Sequence, residues 1–508
     1  MIGGIVCSLA VIWGIHFVWS GSKIKYPPTA PHSLPFLGHI LQLLKPIAPQ
    51  ELFRQWSLTV GPVFTVNLGA KRWVILNSLQ AVQDLIVGKG TVYSSRDMPG
   101  ILIHDLMGGE NGGGFAFYPY GPPWRKLRRI AHGGLTKAKI GDYQPILDHQ
   151  RSVLLANVKK SMATQSGPVE LAHVLEHYTM TSILAIMFGS MCHFEPEDKR
   201  LHQGFALTED VATVFGPLEQ AANFFPLLRY ILPDSKAKCA RIRRDLEDFY
   251  GGLLDQYRQC MDQGQVEDCF IKSIIDTGEM SDVQMMAFLA NFVGAGSETT
   301  ASTLGWMIAL LANHPDIQDK VYDEIREKVG LETLPTADDE HLLPYLQCVI
   351  HETLRLKTPA PLSVPHATSQ DDVYKGWVIP KDTTVIINLH AIHQDPALYH
   401  EPLTFNPDRH WDYVTESANG DKRGISQSTG DRPHLAFSTG RRVCVGIHLA
   451  ERSVFMAASA LLATFRFECP DAARINVDMP KDLNAPTFTP PPYKVSVVPR
   501  AKWMQERP

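Results

Sequence analysis

From Ser281 to His314 the chain holds an apolar helical pattern with no proline before Pro315. Roughly 30 residues at ~1.5 Å each make a helix of ~45 Å, long enough to cross a whole domain. Ser281 and Gln284 stand at the spacing of a capping box, which fixes its start. The surrounding stretch, about Tyr143 to Leu356, is dominated by helical periodicities with few strand signals, so a mostly α-helical body is expected. The middle of the long helix is locally weak. AGSETTAS, Ala295 to Ser302, follows Gly294 and adds Gly296, several hydroxyls and a carboxylate in the helix interior. On the residues alone this fits either a Ser/Thr face bonded to its own preceding turn or a functional break.

Strand signals are confined to short stretches. VFTVNLGAKRWVILN, Val63 to Asn77, alternates like two strands around a turn, and a helix is expected to start at Ser78. Asp372 to Leu389 alternates with breaks at Gly376 and Pro380, and YKVSVVP near the C-terminus adds an edge strand. GGENGGG, Gly108 to Gly114, lacks the G-K-[ST] ending of a phosphate loop and reads as a plain loop.

Residues Ile2 to Ser20 carry no formally charged side chain, a run just long enough to span a bilayer core of ~30 Å. Lys23 and Lys25 follow and no basic residue precedes, which by the positive-inside rule leaves the rest of the chain in the cytosol. A cleaved signal peptide is the competing reading, against which stands the missing basic leader. Tyr26 to Gly38, with four prolines, is expected to be a stiff connector. The expected organisation is therefore an anchor over 1–25, a connector over 26–38 and a catalytic domain over 39–508. The formal charge of −5 suggests no general nucleic-acid role. Eight cysteines lack a close C-x-x-C pair, which points away from a zinc ribbon or disulfide framework and towards a reducing compartment.

FSTGRRVCVG, Phe437 to Gly446, surrounds Cys444 with what a metal-ligating thiolate needs. Gly440 and Gly446 permit a tight path that turns amides towards sulfur, and Phe437 can shield it. Arg441 and Arg442 bring positive charge that favours thiolate. The helical run after Gly446 would direct its N-terminal amides back at the cysteine. A buried free cysteine in a turn is the plain alternative.

The pattern F-x-x-G-x-R-x-C-x-G resembles the haem-binding signature of the cytochrome P-450 superfamily, and four further motifs follow that family's order. The resemblance covers about residue 30 to the end, and is strongest to microsomal fungal members. It implies a mainly α fold with small β-sheets, the cytochrome P-450 fold, preceded by one N-terminal transmembrane helix. It also implies haem b, held through Cys444 as the axial ligand of the iron.

Ala295, Gly296, Glu298, Thr299 and Thr300 occupy the family's distal-helix motif. By resemblance one helical hydrogen bond opens there, Thr299 hydrogen-bonds the oxygen being reduced, and Glu298 relays protons from solvent. Glu352 and Arg355, three apart on one helix face, match E-x-x-R, which the family closes into a buried network with the arginine of FNPDRHW, Arg409. Asp408 and His410 depart from the usual form of that segment. Trp124 and Arg128 match W-x-x-x-R, and with His366 and Arg442 occupy the positions of haem propionate donors.

Arg125, Lys126, Arg129, Arg441 and Arg452 form a candidate basic face for an acidic redox partner. Substrate-contacting segments are expected at Met98–Phe117, Val211–Leu232, Pro361–Val364 and Thr487–Thr489, with Phe224, Phe225 and Leu227 offering a second membrane contact.

The implied activity is that of a monooxygenase inserting one oxygen atom of dioxygen into an apolar or aromatic compound in fungal secondary metabolism. Electrons would come from NADPH through a separate flavoprotein reductase, with cytochrome b5 as a further donor. The enzyme would sit at the endoplasmic reticulum membrane, single-pass, with a cytosolic catalytic domain. The alternatives are a haem-thiolate isomerase or dehydratase, and a haem-binding sensor or carrier without turnover.

Overall fold

The computed structural model describes residues 25–500 except 98–105, 108–113, 193, 216, 226–234, 266–267 and 419–431. The expected anchor, apart from Lys25, lies outside the described residues, as do Leu227 and most of Met98–Phe117 and GGENGGG. Among the described residues no helix is long and apolar enough to cross a membrane.

In chain order the principal elements are α1 (Pro49–Val60), β1 (Val63–Leu68), β2 (Lys71–Leu76), α2 (Pro122–Gly134), α3 (Gln144–Thr164), α4 (Ala172–Phe188) and α5 (Lys199–Thr213). They continue with α6 (Ser235–Asp262), α7 (Asp282–Asn313), α8 (Pro315–Lys328), α9 (Pro344–Leu356), β3 (His366–Ala367), β4 (Asp372–Tyr374), β5 (Trp377–Ile379) and β6 (Thr384–Ile387). Then come α10 (Ile447–Thr464), β7 (Phe465–Glu468) and β8 (Ser496–Pro499). Helices dominate and the strands form small sheets.

The long helix is α7, 32 residues from Asp282, and both arms of its capping box form. The Gln284 amide donates to Ser281 Oγ, and the Ser281 amide to Gln284 Oε1. Pro315 opens α8 directly after it. One half of α7 joins a core with α2, α4 and α6 through Phe288, Leu289, Phe292 and Val293. The other half joins a second core with α3, α9 and α10 through Leu304, Met307, Ile308 and Leu311. A helix buried among neighbours along its length must be apolar nearly all round, which is why its pattern runs unbroken.

The sheet that frames one edge of the site has the order β1-β2-β6-β3, with β2 and β6 parallel and the other pairs antiparallel. The hairpin expected from Val63 to Asn77 is β1–β2, and Ser78 caps the helix after it by accepting from the Ala81 amide. The proline-rich segment does not stand off as a free spacer. Ala30 donates to Thr65 O at 2.9 Å and the Tyr26 ring lies under Arg72, so the segment runs along β1. β4–β5 and β7–β8 are the two smaller sheets, the latter formed by the expected C-terminal edge strand.

Candidate active site

A cavity of about 290 Å³ lies between α7 and the loop before α10. Its walls bring together ten residues named in the sequence motifs: Trp124, Arg128, Ala295, Gly296, Thr299, Thr300, Phe437, Arg442, Cys444 and Gly446. His366 and Glu298 are not on its lining. The remaining walls are mostly apolar, with Phe115, Ile183, Phe292, Val364 and Leu389 among them. Of the segments expected to meet substrate, Pro361–Val364 contributes Ser363 and Val364, whereas the described parts of Val211–Leu232 and Thr487–Thr489 stay off the lining. Phe488 instead accepts hydrogen bonds at its carbonyl from Ser302 and Trp306, tying the C-terminal loop to α7.

Cys444 stands between a single 3-10 turn, Gly440–Arg442, and the N-cap of α10, Gly446. Its amide donates to Phe437 O at 2.9 Å, which closes the loop. Gly440 has φ +66°, and an added Cβ would lie 3.1 Å from the Ile86 carbonyl oxygen, so glycine is required there. Gly446 has an ordinary φ of −88° and open space where a Cβ would go. Burial pushes the Cys444 thiol up, opposed by the Gly446 amide and by Arg128 and Arg432. The expected electrostatic role of Arg441 and Arg442 is therefore corrected. Arg441 donates outward to Tyr120 Oη, and Arg442 turns away to the carbonyls of Ser94, Phe115 and Tyr118 and lies over the Trp124 ring. A bound metal cation would favour the thiolate there.

Arg442 belongs to a cluster of buried cations. Arg128 donates to Val443 O, and Arg96, which no motif marks, donates to Val364 O and Pro365 O. Among the described residues none of the three guanidinium groups meets a carboxylate. Burial, joined by mutual repulsion at Arg96 and Arg442, pushes all three pKa values down. Arg96 Nε and His366 Nε2 are buried with no hydrogen-bond partner among the described residues. Bare cations of this kind are costly without an anion. His366 donates from Nδ1 to the Tyr93 carbonyl at 2.7 Å, so Nε2 becomes a donor only in the imidazolium, a state that a carboxylate beside it favours. A thiol facing an apolar cavity with three guanidinium groups on its lining that meet no carboxylate among the described residues fits a flat macrocycle carrying carboxylates and an iron.

On α7 the helix continues through the expected break. Thr299 Oγ1 donates to Ala295 O at 2.7 Å, Ser297 Oγ to Val293 O and Thr303 Oγ1 to Thr299 O, so the hydroxyls do bond their own preceding turn. Thr299 still faces the cavity. Gly296 is where α4 approaches, since a Cβ there would meet Ile183 Cδ1 at 3.0 Å. Glu298 is half-buried, and its carboxyl is pushed up by burial and by Glu176 and Glu209, against a hydrogen bond with Thr487. A carboxyl pushed up in this way is better able to take up and pass on a proton.

Behind Cys444, Glu352 has no exposed side-chain surface and receives five donors. Arg355 binds it through two parallel bonds of 2.8 Å, and Arg409 Nε, the Asn406 amide and His410 Nε2 approach within 3.0 Å. His410, a departure from the family's usual segment, thus joins the network. Asp408 leaves it and pairs at the surface with Lys320.

Comparison with known proteins gives a consistent result. The family model described as Cytochrome P450 matches residues 27–497. Cytochrome P450 monooxygenase 58 of Postia placenta is 32% identical over 495 residues, covering 95% of this chain and 90% of that protein. Cytochrome P450 monooxygenase virE of Hypocrea virens is 29% identical, covering 96% and 88%. A zebra fish cytochrome P450 solved with progesterone superposes with a TM-score of 0.74 at 25% identity, covering 89% of this chain and all of that one.

Proposed function

This chain belongs to the cytochrome P450 family, an oxidoreductase and monooxygenase family whose members hold haem iron through a thiolate, and from that premise we propose how its own residues carry out the reaction. Cys444 would hold the haem iron through its thiolate, and the observation that carries this is its place on the cavity wall beside a guanidinium cluster that meets no carboxylate among the described residues. Arg96, Trp124, Arg128, His366 and Arg442 would hold the carboxylates of the haem. The bound haem supplies dioxygen activation and oxygen transfer. The apolar cavity lining excludes water around a small apolar or aromatic substrate, and the progesterone with which the zebra fish protein was solved supports that class of ligand.

Thr299 and Glu298 divide the handling of protons. The Thr299 hydroxyl, resting on the Ala295 carbonyl, can rotate to donate into the cavity, and Glu298 passes protons inward from Thr487 and solvent. Thr299→Ala is expected to bind haem normally and consume NADPH at a similar rate, with several-fold more hydrogen peroxide per product formed. Glu298→Gln is expected to slow turnover instead. Unchanged coupling in Thr299→Ala would move the role to a neighbour such as Thr300, and turnover without dioxygen would favour the isomerase or dehydratase alternative.

Electrons come from NADPH through a separate flavoprotein reductase, with cytochrome b5 as a further donor, docking on the face that carries Arg125, Lys126, Arg129, Arg441 and Arg452. The uncharged run Ile2–Ser20 followed by Lys23 and Lys25 supports an endoplasmic reticulum anchor with a cytosolic catalytic domain. The fungal sources of the relatives support a place in fungal secondary metabolism. Deleting residues 1–25 is expected to weaken membrane association and leave haem content intact. A haem-free truncated protein would show that the catalytic domain begins earlier.

A further inference from the structure

Two buried histidines, His393 and His434, and the half-buried His351 match no motif and lie between the Glu352 network and the thiolate loop. On α9, His351 precedes Glu352, and its Nδ1 is 3.2 Å from His434 Nε2. His434 Nδ1 accepts the Ala436 amide at 3.2 Å. His393 Nε2 accepts the Leu435 amide at 2.8 Å, and its Nδ1 lies 2.8 Å from Thr358 Oγ1. Leu435 and Ala436 lead directly into Phe437, whose carbonyl receives the Cys444 amide, and the Leu435 carbonyl receives the Ser438 amide at 2.7 Å.

The hydrogen bonds fix the proton positions. An imidazole nitrogen that accepts an amide carries no hydrogen, so a neutral His393 must be protonated at Nδ1. That proton goes to Thr358 Oγ1, whose own proton is given to the Leu354 carbonyl at 2.7 Å. By the same logic His434 is protonated at Nε2 and donates to His351 Nδ1. The two rings are opposite tautomers, each locked by its second partner. Among the described residues neither amide has another acceptor, and a buried amide left unpaired costs about 1–3 kcal/mol.

We propose that His393 and His434, as neutral imidazoles of opposite tautomer, are positioning residues for the haem-thiolate loop, holding the Leu435 and Ala436 amides so that Phe437 can orient Cys444. This rests on the reading of Cys444 as the iron ligand. Charged or proton-bearing neighbours surround both rings. His393 faces Arg355, His390 and Glu352, and His434 faces His351, His393, His410 and Arg432. Burial, reinforced by Arg355 at His393 and by Arg432 and the neighbouring histidines at His434, pushes His393 down to about 3 and His434 well below its usual value, so both stay acceptors at neutral pH.

The test uses the full-length holoprotein in its reduced carbonyl form. His393→Leu and His434→Phe remove the acceptor, whereas His393→Gln and His434→Asn keep an oxygen near Nε2 and Nδ1. The expected result is a several-fold larger fraction of protein with the carbonyl band of a protonated or displaced cysteine in the apolar variants, with recovery in the amide variants. Wild-type bands in the apolar variants, or equal damage in apolar and amide variants, would overturn the proposal. Because apolar variants can fail to fold, the wild type is also examined by ¹⁵N-histidine NMR in the diamagnetic carbonyl state. His393 protonated at Nδ1 and His434 at Nε2 are expected, and a charged ring or the reverse tautomers would overturn the proposal. Failure of the haem-thiolate reading itself would show separately, as a wild-type carbonyl band lacking the thiolate position.

Discussion

Arg355→Ala is expected to yield little folded protein and almost none loaded with haem. Glu352 is fully buried, and burial pushes its carboxyl up. Hydrogen bonds from Arg355 and His410 override that push and hold it at about 2. Removing Arg355 takes away two parallel bonds to Glu352 and leaves the carbonyls of His393 and Pro402 without the donor that now reaches them at 2.7 and 2.8 Å. Breaking a buried pair from one side costs about 3–5 kcal/mol, against a total stability of about 5–15 kcal/mol. Arg355→Lys is expected to fare little better, since a point charge cannot make the forked contact. Thermal melting and the ratio of haem to protein absorbance measure the effect, and a soluble variant with normal melting and full haem would contradict it. A depressed carboxyl stabilises the fold above its unfolded pKa of ~4.3, and that contribution is lost as pH falls towards about 2.

Cys444→His is expected to abolish monooxygenase turnover, by several orders of magnitude, without collapsing the fold. The ligand loop is closed by backbone bonds, chiefly the Cys444 amide to Phe437 O, so the change removes sulfur and spares the frame. A neutral imidazole would lack the electron donation that a thiolate would supply to bound haem. The thiol opens onto the cavity, and its surroundings push its pKa up, opposed by the Gly446 amide, Arg128 and Arg432. A bound iron would favour the thiolate over the thiol. Retained oxygen insertion in the histidine variant would remove Cys444 from its assigned role.

What could be read from the chain was local. The α7 capping box, the β1–β2 turn at Gly69–Ala70 and the Ser78 cap each lie within a few residues, and so does the Gly-bounded loop around Cys444. Glu352 and Arg355 were legible because three residues on a helix bring them to one face. What escaped depends on segments far apart in sequence. Arg96 sits in an ordinary run, SSRDMP, and enters the cluster because Ser95 bridges to Ala367 across the sheet edge. The charges assigned to Arg441 and Arg442 were misplaced because adjacency in sequence does not fix side-chain direction; Arg442 is drawn to three carbonyls instead. His410 read as a departure from the usual form of its segment, yet its Nε2 supplies a donor that Glu352 uses. The Thr299 hydroxyl bonding its own preceding turn was one of two open readings of a Ser/Thr-rich helix, and it coexists with the residue's place on the cavity wall.

The ultraviolet-visible spectrum of the reduced carbonyl complex tests the account most directly, recorded on the full chain and on Cys444→His at equal haem content. The wild type is expected to show the strongly red-shifted band of thiolate ligation, and the variant the band of a neutral axial ligand. A wild type without the red-shifted band, or a histidine variant that keeps it, would contradict the assignment of Cys444 and the haem-thiolate chemistry built on it.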